Sequence, residues 1–253
     1  MFLMALDIFR LHETWWLQDG AHLAISGAIT VVFAALGYAV HGVSRSGAVA
    51  GALVCFILFV SLGPPAFLAL LALFVITWLA TRVGRLRKQR LGTAERREGR
   101  SASQVFANLG TAALCALLHG LSGDFWWLIA CAAAMSEAAA DTVSSELGQA
   151  FSRRALLITN LETVPPGTDG GISLRGTAAG VLAACLVSAV CVATGMIPSR
   201  WLFLAALAGV CGMLFDSFLG AWLERSGYVS NDVVNFASTL AAAVLGGLSA
   251  GLF

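Results

Sequence analysis

Charge is what this sequence has least of. Only 11% of its 253 residues are Asp, Glu, Lys or Arg, and a single lysine, Lys88, stands among the 15 basic residues. A soluble domain carries roughly 25% charged and about 45–50% apolar residues, whereas 58% of this chain is apolar and its mean hydropathy is +0.85. That excludes an ordinary soluble enzyme, and it excludes a disordered chain as firmly. Other absences narrow the field further. The six cysteines all lie in apolar stretches and form no C-x-x-C pair, so neither a disulfide framework nor a cysteine metal site is expected. The four histidines show no H-E-x-x-H or other ligand spacing. No G-x-x-x-x-G-K-[ST] loop occurs, so any grip on phosphate has to come from arginine, backbone N–H groups and metal. The N-terminal MFLMALDIFR lacks a basic region and an A-x-A site, which argues against a cleaved signal peptide. The net charge of +1 is silent on nucleic acid, and no nucleic-acid partner is expected.

What the sequence does have is long, continuous apolar runs. A spanning helix takes about 20 apolar residues, and runs that do not alternate exclude a transmembrane barrel. Candidate spans fall at about 21–40, 47–62, 64–81, 104–121, 124–145, 177–197, 201–222 and 233–253. The expected fold class is all-α, a polytopic transmembrane helical bundle of eight spans forming one domain over 21–253. Residues 1–20, with Trp15 and Trp16 beside Asp7, Arg10 and Glu13, read as an interfacial amphipathic helix. A basic loop is expected over 82–104 and a glycine-rich loop over 146–176.

Basic residues set the orientation. Segment 82–100 carries eight Arg or Lys; placing it in the cytoplasm puts 13 of the 15 basic residues inside, with only Arg10 and Arg200 outside. The positive-inside rule then places both termini outside and the polar loops in the cytoplasm. A multi-pass protein of the cell membrane, surrounded by its lipids, is the expectation. Most of the eight charges in 82–100 read as a surface patch attracted to anionic lipid.

The polar residues collect on that cytoplasmic side. Glu137, Asp141, Ser144 and Gly148 share one helical face. A carboxylate deep in a bilayer costs about 2.5–3.5 kcal/mol on insertion scales, so two on one helix need partners. Further on, Gly167, Thr168, Asp169, Gly170, Gly171, Ser173 and Arg175 fall within nine residues. Glycines let backbone N–H groups converge on an anion, Ser173 or Thr177 can cap the next helix, and Arg175 can clamp phosphate oxygens. In the third stretch Asp216, Gly220 and Glu224 share a face, and Asn231 and Asn235 share another. Mg²⁺ prefers oxygen ligands and is usually held by one or two carboxylates plus substrate phosphate. Asp141 and Asp216 are the leading candidates, with Glu137 or Glu146 as additional metal ligands.

These residues also carry a resemblance. The segments ADTVSSELG (140–148) and VPPGTDGGISLRGT (164–177) match a pattern A-D-T-x-[AS]-S-E-[IL]-G followed by V-P-x-G-T-[ND]-G-G-[IV]-S, with Asp169 at the variable Asn/Asp position. Ser46 and Gly47, Gln104 with Val105 and Asn108, FDSFLG (215–220) and NDVVN (231–235) extend it over most of the chain after residue 40. The chain resembles the family first catalogued as an integral-membrane domain of unknown function, which includes transmembrane protein nineteen and the phytyl-phosphate kinases of tocopherol synthesis. The resemblance implies a membrane kinase that passes a phosphoryl group from a nucleoside triphosphate, with CTP a candidate, to an isoprenoid monophosphate. It implies active-site roles for Asp141, Glu146, Gly167, Asp169, Gly170, Gly171, Ser173, Asp216 and Asn235. Two other readings stand beside it: a transporter or flippase of polyprenyl phosphate or ions, and a membrane nucleotidyltransferase making a CDP-lipid. A transporter places polar residues near the midplane and on both sides of it; here they cluster towards one side.

Overall fold

The computed structural model describes residues 20–252, so the interfacial helix expected over 1–20 falls outside the described residues. The chain forms α1 (Gly20–Ala39), α2 (Arg45–Leu62), α3 (Pro64–Arg82), a short α4 (Arg85–Leu91), α5 (Ala102–Ser122), α6 (Trp126–Phe151), α7 (Leu174–Ala193), α8 (Leu202–Leu219) and α9 (Asn231–Gly251). Between α6 and α7 lie three short strands, β1 (Ala155–Leu157), β2 (Thr163–Val164) and β3 (Gly171–Ile172), antiparallel in the order β2-β1-β3. Local chemistry sets the helix ends. Ser101 and Gln104 form a reciprocal capping box at the start of α5. Gly63, at φ 71°, turns the chain from α2 into Pro64 and Pro65, which occupy the first turn of α3.

Seven of the described helices are long and apolar enough to cross a membrane, at positions within a few residues of those expected. They turn Val31, Val49, Leu182, Phe203, Leu207 and Leu248 outward, each more than 60% exposed. That is a surface built for acyl chains. The remaining long helix, α6, is less apolar because it meets protein on every side: each residue from Ile129 to Ala140 is at most 2% exposed. It packs against α3, α5, α7, α8 and α9. A helix shielded from lipid can carry carboxylates once they have partners. Small residues bring the helices close enough to supply them. Gly176 and Gly180 of α7 lie against α6, where an added Cβ would come within 2.6 Å of the Ser144 carbonyl oxygen and 2.8 Å of that of Ala140. This is the small-xxx-small contact of membrane helices.

All four polar connections meet at one end of the bundle. Val43 pairs with Arg100 as a parallel bridge, Gly84 packs on Ala150, Gly167 on Thr93 and Gly170 on Ala221. Two segments differ from expectation. The basic 82–104 segment contains α4, whose Lys88 is buried rather than displayed. The 146–176 segment is no irregular loop: α6 runs on to Phe151, and the small sheet follows. Helix α6 outlasts its apolar pattern because Glu146 finds a buried cation, Lys88, within the fold.

Candidate active site

Asp141 and Asp216 come from different spans, α6 and α8, and face the same cleft. Both line it with Ser144, Ser145 and Gln149 of α6, the 166–171 loop, Ser173, Ser217, Glu224 and Asn231. Asp216 is held by Ser238 of α9, whose hydroxyl donates to Oδ2 at 3.1 Å and lies 3.0 Å from the Asn235 carbonyl oxygen. Above the carboxylates, the glycine-rich loop is locked against the end of α8. Gly170 sits at φ 73° with Ala221 where a side chain would be, and a Cβ on Gly220 would come 3.0 Å from the Gly170 nitrogen. There the helix widens into a π-turn, Gly220–Glu224, a feature frequent at functional sites.

The loop uses some of its N–H groups internally: Thr168 donates to Pro165 at 3.3 Å and Gly171 to Thr168 at 2.8 Å. Among the described residues, the N–H groups of Gly167, Asp169 and Gly170 have no protein acceptor. Gln149 Oε1 is likewise buried without a donor, while its Nε2 donates to Ser145 at 2.9 Å. The cleft therefore offers four carboxylates, several hydroxyls, free backbone donors and no Lys, Arg or His side chain. Left bare, it repels polyphosphate. Among the described residues no three His, Cys, Asp or Glu side chains form a ready metal cage, but two convergent carboxylates with room for water and phosphate oxygens are the donor set that suits Mg²⁺.

A family model for an integral membrane protein, DUF92, matches residues 28–243. The chain belongs to that family. Among its DUF92 relatives and other similar proteins, an uncharacterized membrane protein of Synechocystis sp. is 34% identical over 77% of this chain and 78% of its own length. An uncharacterized membrane protein of Methanocaldococcus jannaschii is 34% identical over 80% of this chain and 83% of its own. Protein VTE6, chloroplastic, of Arabidopsis thaliana is 33% identical over 78% of this chain and 62% of its own length. No solved structure matches.

Set on this DUF92 fold, the residues singled out in the sequence part company. Asp141, Gly167, Thr168, Asp169, Gly170, Gly171, Ser173 and Asp216 line one cleft. Four others do not. Glu146 is ion-paired with Lys88, which also donates to the carbonyl oxygens of Ala80 at 3.3 Å and Thr81 at 2.7 Å, so its charge is neutralised away from the cleft. Arg175 reaches back to the Phe151 carbonyl oxygen at 2.5 Å and lines an outer groove with Arg153 and Arg154 rather than the cleft. Ser173 caps α7, accepting from Gly176 N at 3.2 Å, and this turns the next two residues away from the cleft. Glu137 lies one turn beneath Asp141, 2% exposed, where Gly212 of α8 makes room for its Cγ. Asn235 is buried beside the site, its carbonyl oxygen accepting from the Ser238 hydroxyl. Sequence reasoning missed Ser145, Gln149 and Ser217, although each lies within a turn of a residue it did select. It also missed Arg100, whose Nη2 donates to Thr142 at 3.3 Å, beside Asp141.

Proposed function

We propose that this protein is a membrane phosphotransferase that moves the γ-phosphoryl group of a nucleoside triphosphate, with CTP a candidate donor, onto an isoprenoid monophosphate to give the diphosphate. The observation that carries the reading is the meeting of Asp141 and Asp216 beneath a glycine-rich loop whose N–H groups are free, in a cleft without a basic side chain. Membership of DUF92 and the similarity to VTE6 support it, as does the gathering of the polar segments at one end of the bundle. In this reading that end faces the cytoplasm, where nucleotides are.

Phosphoryl transfer asks a protein for position and charge stabilisation more than for covalent chemistry. Asp141 and Asp216 would hold Mg²⁺, which supplies neutralisation of the charge on the phosphate oxygens. The free N–H groups of Gly167, Asp169 and Gly170 orient the polyphosphate. An oxygen of the acceptor monophosphate attacks the γ-phosphorus. The bond from that phosphorus to the β,γ-bridging oxygen breaks, and its electron pair leaves with the nucleoside diphosphate. The acceptor is already an anionic nucleophile, so no strong general base is required.

The test is turnover by the purified protein with geranylgeranyl monophosphate, Mg²⁺ and each nucleoside triphosphate in turn. Prenyl diphosphate and nucleoside diphosphate in equal amounts are the expected products. CDP-lipid with pyrophosphate, or flux across liposomes without turnover, would replace the proposal with one of its rivals.

A further inference from the structure

We propose that a second cavity, on another face of α6, is the acceptor site, taking the head-proximal part of a single prenyl tail in its apolar interior and the terminal phosphate monoester among arginines at its mouth. The inference rests on the phosphotransferase reading for the fate of that phosphate, not for its binding.

The cavity lies between α1, α2, α3 and α5, and α6 closes it at Ala138. Its interior is apolar: Phe33, Leu70, Leu73, Phe74 and Leu109 form the walls. Phe33 and Phe74 meet edge to face, their centroids 5.5 Å apart. The cavity volume is about 100 Å³, below the roughly 300–1,000 Å³ of sites that enclose a whole ligand, so the enclosed part holds a segment of the tail and the rest lies in the open groove. Along α3 the lining runs from Leu70 to Arg82, roughly 18 Å at the helical rise of about 1.5 Å per residue. A tail entering from the interface thus reaches past the middle of one leaflet.

The mouth has the opposite character. Arg82, Arg85, Arg96, Arg97 and Arg100 line it, five of the basic residues that the sequence alone suggested were lipid-facing decoration. Two are placed by the protein. Arg82 stacks over Trp78, 4.1 Å from the ring centroid, and donates to the Val40 carbonyl oxygen at 2.6 Å. Arg100 has its backbone fixed by the 42–44 turn, donating to Gly42 O at 3.2 Å and accepting from Ser44 N at 3.0 Å, while its side chain reaches Thr142. Among the described residues, the guanidinium groups of Arg85, Arg96 and Arg97 have no protein partner. The carboxylate at the rim, Glu95, is occupied, accepting from Arg96 N at 2.9 Å and Gln104 Nε2 at 3.3 Å. Three solvent-exposed guanidiniums over an apolar shaft suit an amphiphile with a doubly charged anionic end, since arginine binds phosphate bidentately. Arg100 ties this mouth to the chemistry. Thr142 directly follows Asp141, so a phosphate held at Arg100 lies alongside the helix edge that carries the catalytic carboxylate.

Binding and turnover separate the two claims. The probe is radiolabelled geranylgeranyl monophosphate, bound to the intact detergent-solubilised protein without nucleotide or Mg²⁺. Gly51 lines the cavity, and a Cβ there meets nothing within 4 Å, so Gly51→Phe fills the shaft without a backbone clash. Affinity for the probe should fall at least tenfold, while thermal unfolding and CTP binding stay unchanged. The double variant Arg96→Ala/Arg97→Ala should lose the monophosphate equally but keep its affinity for geranylgeraniol. Wild-type affinity in both variants would overturn the proposal. So would displacement of the probe by inorganic phosphate, or by vesicles of phosphatidic acid, as effectively as by unlabelled monophosphate. Lost binding in these variants, with no turnover by the wild type under any nucleotide, keeps the acceptor site and removes the kinase reading. Turnover with KM unchanged in both variants does the reverse.

Discussion

Two faces of one helix carry opposite charge. On one side of α6, Asp141 joins Asp216, Asp169 and Glu224 in a cleft lined by no Lys, Arg or His; on the other, Ala138 borders a cavity whose mouth holds five arginines, one of which, Arg100, reaches Thr142. Successive helical residues are about 100° apart, so Asp141 faces the cleft while Thr142, its neighbour in sequence, is turned towards Arg100. The difference teaches how a reaction between two anions can be arranged. Placed in one pocket, a polyphosphate and a monophosphate repel each other and compete for the same counter-charge. In the proposed reaction the first is matched to carboxylates that suit a divalent cation and the second to guanidiniums. They meet only at the helix edge, where Arg100 touches Thr142.

The largest effects are expected on the acidic face. Asp141→Asn and Asp216→Asn should each lower kcat by on the order of 10³-fold, the scale of losing a major electrostatic element of a transition state. Probe binding at the arginine mouth should be untouched. Rates within tenfold of wild type in both variants would show that the carboxylates are structural. Next in size is Lys88→Met, which leaves Glu146 charged and unpaired; removing one partner of a buried ion pair costs about 3–5 kcal/mol. The loss is read as a lowered unfolding temperature in detergent, and Lys88→Met/Glu146→Leu should restore most of it. That double variant also sharpens the assignment, because turnover should survive it. Lost turnover in a well-folded double variant would return Glu146 to the site.

Much of this was legible in the sequence. The spans were, because an uninterrupted run of apolar residues has few solutions in a bilayer, and α6 was found despite its carboxylates. Asp141, Asp216 and the 167–173 loop were legible because charge within a span and glycines at its end are expensive features that ask for a reason. Glu146 was not separable from Asp141: both sit on the same polar stretch, and the cation that neutralises Glu146 is 58 residues away. Arg175 misled for a geometric reason, since the cap at Ser173 decides which way the first turn of α7 points. The cavity proposed for the acceptor was invisible. Its walls are largely Gly, Ala, Leu and Phe, the same alphabet as a lipid-facing surface, and its arginines look like an interfacial patch until α4 and the 42–44 turn gather them at one mouth.

On the basic face, Arg100→Lys keeps the charge and removes the planar fork that reaches Thr142. KM for the acceptor should rise on the order of tenfold, roughly the 1.4 kcal/mol of a lost charged hydrogen bond, with a smaller change in KM for the nucleotide. An equal rise in both would mean that Arg100 serves the cleft rather than the cavity, and the division of labour across α6 would fail there.

The smallest effect is expected at Gln149, and it tests the cleft from inside. Its Oε1 is buried with no donor in the protein, which a bound ligand or water has to supply. Gln149→Leu removes that acceptor at similar volume, so the empty protein should be as stable as wild type or slightly more so, because an unsatisfied group has gone. Nucleotide affinity should fall by about fivefold, roughly the 1 kcal/mol of one neutral hydrogen bond. Acceptor binding on the far side of α6 should not change. Calorimetric titration with CTP and with geranylgeranyl monophosphate reads both quantities on one sample. A fall in acceptor affinity alone would place the nucleotide and the lipid on the opposite faces from those argued above.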